Sequence, residues 1–305
     1  MPMPYDAVRT FLAVAQTGSF SRAARRLGVS QPWVSQRVAQ LEDYLGRKRG
    51  QAGLRLLERR RGGTVLTPDG RALRDIASGP LEAMEQLEDT FHSSRGKLSG
   101  RVRLAAADLV LRFILPEALL RFRQRYPQVR VETCMTYSPL MVTQVLEDYV
   151  DFAVGDTGDS VPATVRAEVI RRCDRLLVVS KGDPLLKLPS PVTAQQLLHR
   201  DWIVLPQHSL SRRKLDALLG HYSIAMEVES WEVMKTYVAL GVGIGLMPEL
   251  CLVPQDRRRL RTIRLAAEFG GNQFAIVLRK RKALSPAALA LIDAISPGLA
   301  QRLAR

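Results

Sequence analysis

Residues 19–46 read SFSRAARRLGVSQPWVSQRVAQLEDYLG, and the punctuation of this stretch decides how the N-terminal part of the chain folds. Ser19 is a capping residue ahead of a short helix over 22–27, whose residues are mostly good helix formers. Gly28 ends that helix, because glycine accepts the left-handed conformation of a C-terminal cap. Ser30 then caps a second helix with Pro32 in its first turn, where a missing N–H costs little. In that helix Val34, Val38, Leu41 and Leu45 recur at helical spacing and must face a core. Gln31, Ser35, Gln36 and Arg37 are left on the other side. Two helices, a tight turn and a polar second face describe a helix-turn-helix, whose second helix enters the major groove of DNA. An ordinary αα-hairpin with a solvated face has the same spacing, so charge and flanking sequence must decide.

Upstream, Val8, Phe11, Leu12, Val14 and Ala15 form the apolar stripe of a helix over 5–17 that packs behind the other two. Downstream comes RKRGQAG, residues 47–53, read as a basic loop between glycines. Next, 54–57 and 64–66 read as two short strands around Arg59-Arg60-Arg61-Gly62-Gly63, a hairpin with a basic tip, or wing. Thr67 caps a following helix with Pro68 at its first position. Leu73, Ala77, Pro80, Met84, Leu87 and Phe91 recur there as a short coiled-coil seam for a second copy of the chain, an amphipathic helix packed inside its own chain being the alternative, and Pro80 predicts a kink.

The charge distribution favours nucleic acid. The 305 residues carry a net +15. Residues 1–66 hold 12 Lys/Arg against 4 Asp/Glu, 67–98 hold 4 against 6, and 99–305 hold 29 against 20. Charge per residue is therefore nearly three times higher in the first segment than in the last. At 46% hydrophobic and 25% charged the composition is that of a globular protein. No apolar run is long enough to cross a bilayer, and MPMPYDAVRT has no apolar signal-peptide region, so a cytoplasmic location is expected. Cys134, Cys173 and Cys251 form no disulfide framework or CxxC pair. His92, His199, His208 and His221 show no metal-ligand spacing, and no Ser/His/Asp or Cys/His arrangement is present. No catalytic residue, metal site or cofactor is therefore expected.

FLAVAQTGSFSRAARRLGVSQPWVSQRVAQLEDYLG followed by LRLLERRRGGTVLTPDGR resembles the DNA-binding region of a LysR-type transcriptional regulator. Trp33 departs from that family, which usually has a small residue there, and RKRGQAG stands as an insertion. Farther on, PEALLRFRQRYPQVRVE and VALGVGIGLMPEL resemble the effector domain of the same family, built of two lobes like a periplasmic binding protein. The resemblance implies a multidomain α/β chain. Residues 1–66 would form a winged helix-turn-helix, 67–98 a linker helix and hinge, and 99–305 an effector-binding domain. Lobe 1 of that domain would take 99–168 and 265–305, and lobe 2 would take 169–264, with crossings near Val169 and Arg264. It also implies a homo-oligomer, a dimer or a tetramer, on double-stranded DNA with two-fold symmetry, under the control of a small molecule.

Strands alternating with helices after residue 99 predict parallel sheets with helices on both faces. Ligands in such sheets bind beyond the carboxyl ends of strands. Those ends here are Ala107-Asp108-Leu109, Thr136-Tyr137-Ser138, Gly155-Asp156 and Leu205-Pro206-Gln207. By resemblance, Asp108, Leu109, Thr136, Tyr137, Ser138, Asp156, Pro206 and Gln207 face the effector cleft. Ser138 at a helix N-terminus favours an anion, whereas Asp108 opposes one. Gln31, Ser35, Gln36 and Arg37 are the expected base readers in the major groove, with Gln pairing to adenine and Arg to guanine, and Ser30 and Pro32 are expected DNA contacts at the start of the same helix. Arg59, Arg60 and Arg61 are the expected wing contacts. Gly241-Val242-Gly243-Ile244-Gly245 is not a dinucleotide fingerprint, since it follows a helix; it reads as a turn into a buried strand. A solute-binding or enzymatic α/β protein with an incidental helical N-terminus is the alternative, which a signal peptide or a catalytic cluster would favour.

Overall fold

The computed structural model describes residues 4–50, 53–60, 63–93, 98–158, 161–280 and 282–303. It divides into two units. One comprises Met1–Leu98 with Glu147–Tyr149 and Arg281–Ser285, and the other holds Ser99–Leu146, Val150–Lys280 and Pro286–Arg305.

The first unit opens with helices α1 (Tyr5–Thr17), α2 (Phe20–Leu27) and α3 (Gln31–Arg49). The sequence punctuation acts as expected. Ser19 Oγ accepts from the Arg22 N–H at 3.4 Å, and Ser30 Oγ accepts from the Trp33 N–H at 3.4 Å. Gly28 closes α2 in the left-handed region at φ 68°. Phe11, Val14, Ala23, Val34, Leu41 and Leu56 are fully buried and bind the three helices into one core.

Three details differ from the sequence reading. First, α3 does not end at Gly46, which is buried inside it. The helix continues through Arg47, Lys48 and Arg49 and is capped by Gly50 at φ 65°. The expected basic loop is instead a further turn of helix, supported by an Arg47–Asp43 ion pair one turn apart. Gln51 and Ala52 lie outside the described residues. Second, the hairpin strands are β1 (Leu57–Arg60) and β2 (Gly63–Leu66), antiparallel, so Arg59 and Arg60 belong to a strand rather than to the tip. Third, α4 (Pro68–Ser93) is one helix containing Pro80, capped by Thr67 Oγ1 accepting from the Gly70 N–H at 3.0 Å. Ala77 and Leu81 are buried in the unit's own core and Leu73 packs against it, so those positions are not free for a second copy. Among the described side chains, Ile76 and Met84 are exposed large apolar residues of α4; the Leu87 and Phe91 side chains lie outside what is described.

The second unit continues with β3 (Gly100–Ala106), α5 (Asp108–Phe113), α6 (Pro116–Arg125), β4 (Val129–Met135), α7 (Ser138–Leu146) and β5 (Phe152–Asp156). A single long strand β6 (Val165–Ser180) follows, then β7 (Asp201–Val204), α8 (Leu210–Leu219), β8 (Ser223–Glu227), α9 (Trp231–Ala239) and β9 (Ile244–Pro248). The chain ends with β10 (Leu260–Arg264), β11 (Gly271–Arg279), α10 (Pro286–Ile295) and α11 (Leu299–Leu303). Strands run in the order β4-β3-β5-β11-β6-β9-β7-β8, with β10 also paired to β6.

This sheet is mixed rather than parallel. β3 pairs in parallel with β4 and β5, and β7 with β8 and β9. All pairings of β6, β10 and β11 are antiparallel. β6 makes two lobes of one chain segment. Its residues up to Asp174 pair with β11, and from Arg175 onward it pairs with β9 and β10. The first crossing therefore falls at Asp174–Arg175, beyond Val169. The return falls between Arg264, the end of β10, and Gly271, the start of β11. One lobe packs Ala105, Met141, Val145, Ala153 and Val277. The other packs Leu177, Val179, Trp202, Leu215 and Phe269. The 241–245 glycines form a turn into β9, as expected from their context. A Cβ on Gly243 would lie 2.7 Å from the Asp201 carbonyl oxygen, and one on Gly245 2.8 Å from Met234 Sδ.

Candidate functional site

On α3, burial of Val34, Val38 and Leu41 leaves Gln31, Pro32 and Gln36 exposed and Ser35 and Arg37 half-buried. Arg37 does not extend freely. Its guanidinium lies 5.0 Å from the centre of the Trp33 ring one turn back, and Nη1 donates to Gln40 Oε1 at 2.9 Å. A cation over an indole face at an exposed place contributes roughly 0.5–1 kcal/mol, enough to bias the side chain's orientation. Trp33, the residue that departs from the family pattern, thus has a physical role as the platform for Arg37.

In the wing, Arg59 stands opposite Thr64 and Arg60 opposite Gly63. Arg60 pairs with Glu58 at 3.1 Å, both largely exposed, so the pair holds little energy and the cation stays available. The Arg59 side chain is not described, and Arg61 lies outside the described residues. The Thr64 N–H donates to the Gly18 carbonyl at 2.9 Å and seats β2 on the end of α1.

Sequence reasoning missed Glu42. This carboxylate on α3 is 5% exposed; Oε1 accepts from the Leu56 N–H at 2.8 Å and Oε2 from Arg55 Nη1 at 2.7 Å. It ties the recognition helix to the chain entering the wing. A glutamate within a polar helix gives no signal of such burial in the sequence.

The two-lobed unit holds a cavity of about 380 Å³ at the ends of its strands. Of the residues expected to face a cleft, Asp108, Leu109, Thr136, Tyr137, Asp156 and Pro206 line it. Gln207 does not. Ser138 opens α7, but its side chain is not described. Met141, His208, Ser209, Ser211, Glu229, Trp231 and Asn272 line the cavity as well and were not foreseen. Met141 lies on α7, Ser211 on α8, Trp231 on α9 and Asn272 on β11, while His208, Ser209 and Glu229 stand in the loops that lead into α8 and α9. Tyr137 and His208 meet across the cleft, ring centres 4.1 Å apart at 39°. Asp156 is committed to structure: its Oδ1 accepts from the Gly158 N–H at 3.0 Å, and its Oδ2 from Asn272 Nδ2 at 2.5 Å.

α9, whose Trp231 faces the cavity, is anchored from behind by Lys235. This lysine is 4% exposed, and its Nζ reaches Asp256 Oδ2 at 2.8 Å and Glu232 Oε1 at 2.8 Å. Burial acts to lower its pKa, but the bonds to Asp256 and Glu232 carry it above the ordinary lysine value. The three thiols are held protonated by burial. Cys134 and Cys173 are raised, and Cys251 is pushed up to about 12. Among the described residues no group of acidic, histidine or cysteine side chains is arranged to hold a metal ion. No described helix is long and apolar enough to cross a membrane.

A winged helix-turn-helix and long helix in one unit, with a cleft between two α/β lobes in the other, define a DNA-binding regulator with a ligand-binding domain. Comparison with known proteins makes this specific. Residues 5–71 match the bacterial regulatory helix-turn-helix model of the lysR family, and residues 95–300 match the LysR substrate binding domain. The chain belongs to the LysR family of transcriptional regulators, a family of DNA-binding proteins rather than enzymes. It is 29% identical to the HTH-type transcriptional regulator CysB of Burkholderia cenocepacia over 298 residues, 95% of this chain and 92% of that protein. Its fold matches a full-length OxyR variant from Pseudomonas aeruginosa with TM-score 0.76, at 19% identity over 97% of this chain and 96% of that one. Full-length CbnR, solved in complex with its target DNA, matches with TM-score 0.55 at 21% identity, covering 96% and 99% of the two chains.

Proposed function

We propose that residues 1–66 read a specific DNA sequence, that 67–98 join two copies of the chain, and that 99–305 bind the controlling small molecule. The observation that carries the DNA half is the exposed polar face of α3, where Gln36 is open and Arg37 is oriented by Trp33 and Gln40. Gln31, Ser35, Gln36 and Arg37 reach base edges. Ser30 and Pro32 position the start of α3 against the backbone, and Arg59 and Arg60 of the wing contact phosphate or the minor groove. Two copies carry two recognition helices and read a two-fold symmetric site, with half-sites about 34 Å apart or a multiple of that. The protein acts in the cytoplasm as a homodimer or homotetramer. The effector occupies the 380 Å³ cleft and touches Leu109, Thr136, Tyr137 and Pro206 beside Asp108 and Asp156.

Protection mapping on genomic DNA, followed by titration of the site found, tests the first half. Arg37→Ala should weaken the specific site by about 1–3 kcal/mol and random DNA much less. Equal losses on both would assign Arg37 to the backbone.

A further inference from the structure

We infer that Trp33 is a specificity-determining positioning residue of the recognition helix: with Gln40 it presets Arg37 as a fork for one guanine before DNA is met. This rests on the reading that α3 enters the major groove and that Arg37 reaches a base edge. Trp33 is itself fixed. Its backbone N–H is held by the Ser30 cap, and its ring packs against the buried core of the three helices while staying partly exposed. From there the ring meets the side chain one turn on, and the Arg37 guanidinium carbon lies 5.0 Å from the ring centre.

Trp33, Arg37 and Gln40 stand at i, i+4 and i+7, one row along α3. At about 100° per residue, Arg37 is rooted beside the buried row of Val34, Val38 and Leu41, and Gln36 marks the middle of the exposed face. Trp33 and Gln40 lie between the two. Both partners therefore draw the guanidinium from the flank of α3 towards the face that meets the groove. Nη1 donates to Gln40 Oε1 at 2.9 Å, which leaves Nε and Nη2 with no partner among the described residues. These two nitrogens form one edge of a planar fork, the shape that pairs with O6 and N7 of guanine. A loose arginine gives up rotamer freedom when it docks on a base. One already stacked and hydrogen-bonded gives up less, so the base it fits is favoured more. Without a ring at position 33, Arg37 is left to swing between base and phosphate. Its charge supplies affinity in either place, but only the held fork supplies selectivity.

The test uses the full-length protein and a pool of duplexes randomised over the length protected on genomic DNA. Bound duplexes are sequenced. The best duplex, its single base-pair substitutions and a random duplex are then titrated by fluorescence anisotropy at several salt concentrations. Arg37→Ala locates the guanine, as the position whose preference disappears. Trp33→Leu keeps an apolar side chain against the core but has no π face. It should weaken the best duplex by about two- to fivefold, the factor that an exposed cation–π contact carries. The lost preference should fall at that same base pair, with the other positions, the random duplex and the salt slope unchanged. Trp33→Tyr should retain the preference, and Gln40→Met, on an exposed side chain, should lower it at the same base pair. Trp33→Leu/Arg37→Ala should be no weaker than Arg37→Ala alone, because Trp33 acts through Arg37. A loss spread over every position, shared by Trp33→Tyr, makes Trp33 structural only and overturns the inference. An additive double variant puts Trp33 on the DNA itself and overturns it too. Preference unchanged in Trp33→Leu and Gln40→Met keeps Arg37 as a base reader and overturns its presetting. Equal losses of Arg37→Ala on the best and random duplexes overturn the base-reading assignment beneath it.

Discussion

Replacing Glu42 by alanine should loosen the wing from the recognition helix. Leu56 is 1% exposed, and its N–H donates to Glu42 Oε1 at 2.8 Å. Alanine leaves that donor buried without an acceptor, which costs about 1–3 kcal/mol. The ion pair with Arg55 adds less than about 1 kcal/mol, because the Arg55 side chain is 70% exposed and screened by solvent. The expected loss is therefore about 1–4 kcal/mol, and each kcal/mol lowers the Tm of a domain this size by roughly 4–8 °C. Glutamine is the informative control, since it keeps an oxygen for the Leu56 N–H and loses only the charge; it should cost less than about 1 kcal/mol. Thermal unfolding of the full-length variants, with hydrogen exchange at the Leu56 amide, measures both quantities. In Glu42→Ala that amide should exchange faster and affinity for the specific DNA site should fall, while Glu42→Gln stays close to the parent. Equal stability of the two variants, or parental protection of the Leu56 amide in Glu42→Ala, would refute the reasoning.

Gly70→Ala should destabilise the first unit by about 1–3 kcal/mol or more, because its Cβ would lie 2.0 Å from the Leu56 carbonyl oxygen; a chemical denaturation curve checks it. Arg47→Ser/Lys48→Ser, on the extra turn of α3, should flatten the dependence of log K on log salt by up to about 2 units and weaken specific and random duplexes alike. An unchanged slope would mean that this turn does not touch phosphate. Cys251, with its pKa raised by burial to about 12, should be roughly one ten-thousandth thiolate at pH 8 and react with a thiol reagent only after unfolding. Rapid labelling of Cys251 in the native protein would contradict that burial.

What the sequence by itself determined is local. Ser19, Gly28, Ser30 and Pro32 set the helix-turn-helix, because a cap or a turn depends on three or four adjacent residues. The same logic seats Thr67 at the start of α4 and turns 241–243 into β9. Where two local signals competed, packing chose between them. Gly46 and Gly50 both offered an end to α3, and burial of Gly46 together with the Arg47–Asp43 pair carried the helix to Gly50. The sixteen residues of β6 show the limit from the other side. The alternation of Val165-Arg166-Ala167-Glu168-Val169 breaks at Ile170-Arg171-Arg172, and the pairing of this half comes from β11, about a hundred residues later. That pairing is antiparallel, which the strand–helix alternation did not reveal, and it moves the crossing between lobes to Asp174–Arg175. The cleft divides in the same way. Asp108, Tyr137 and Asp156 were legible because each stands at the carboxyl end of a strand or within two residues of it. His208 and Glu229 lie in the loops after β7 and β8 and Asn272 at the start of β11, and the buried, unpartnered oxygen of Asn272 exists only in the tertiary arrangement.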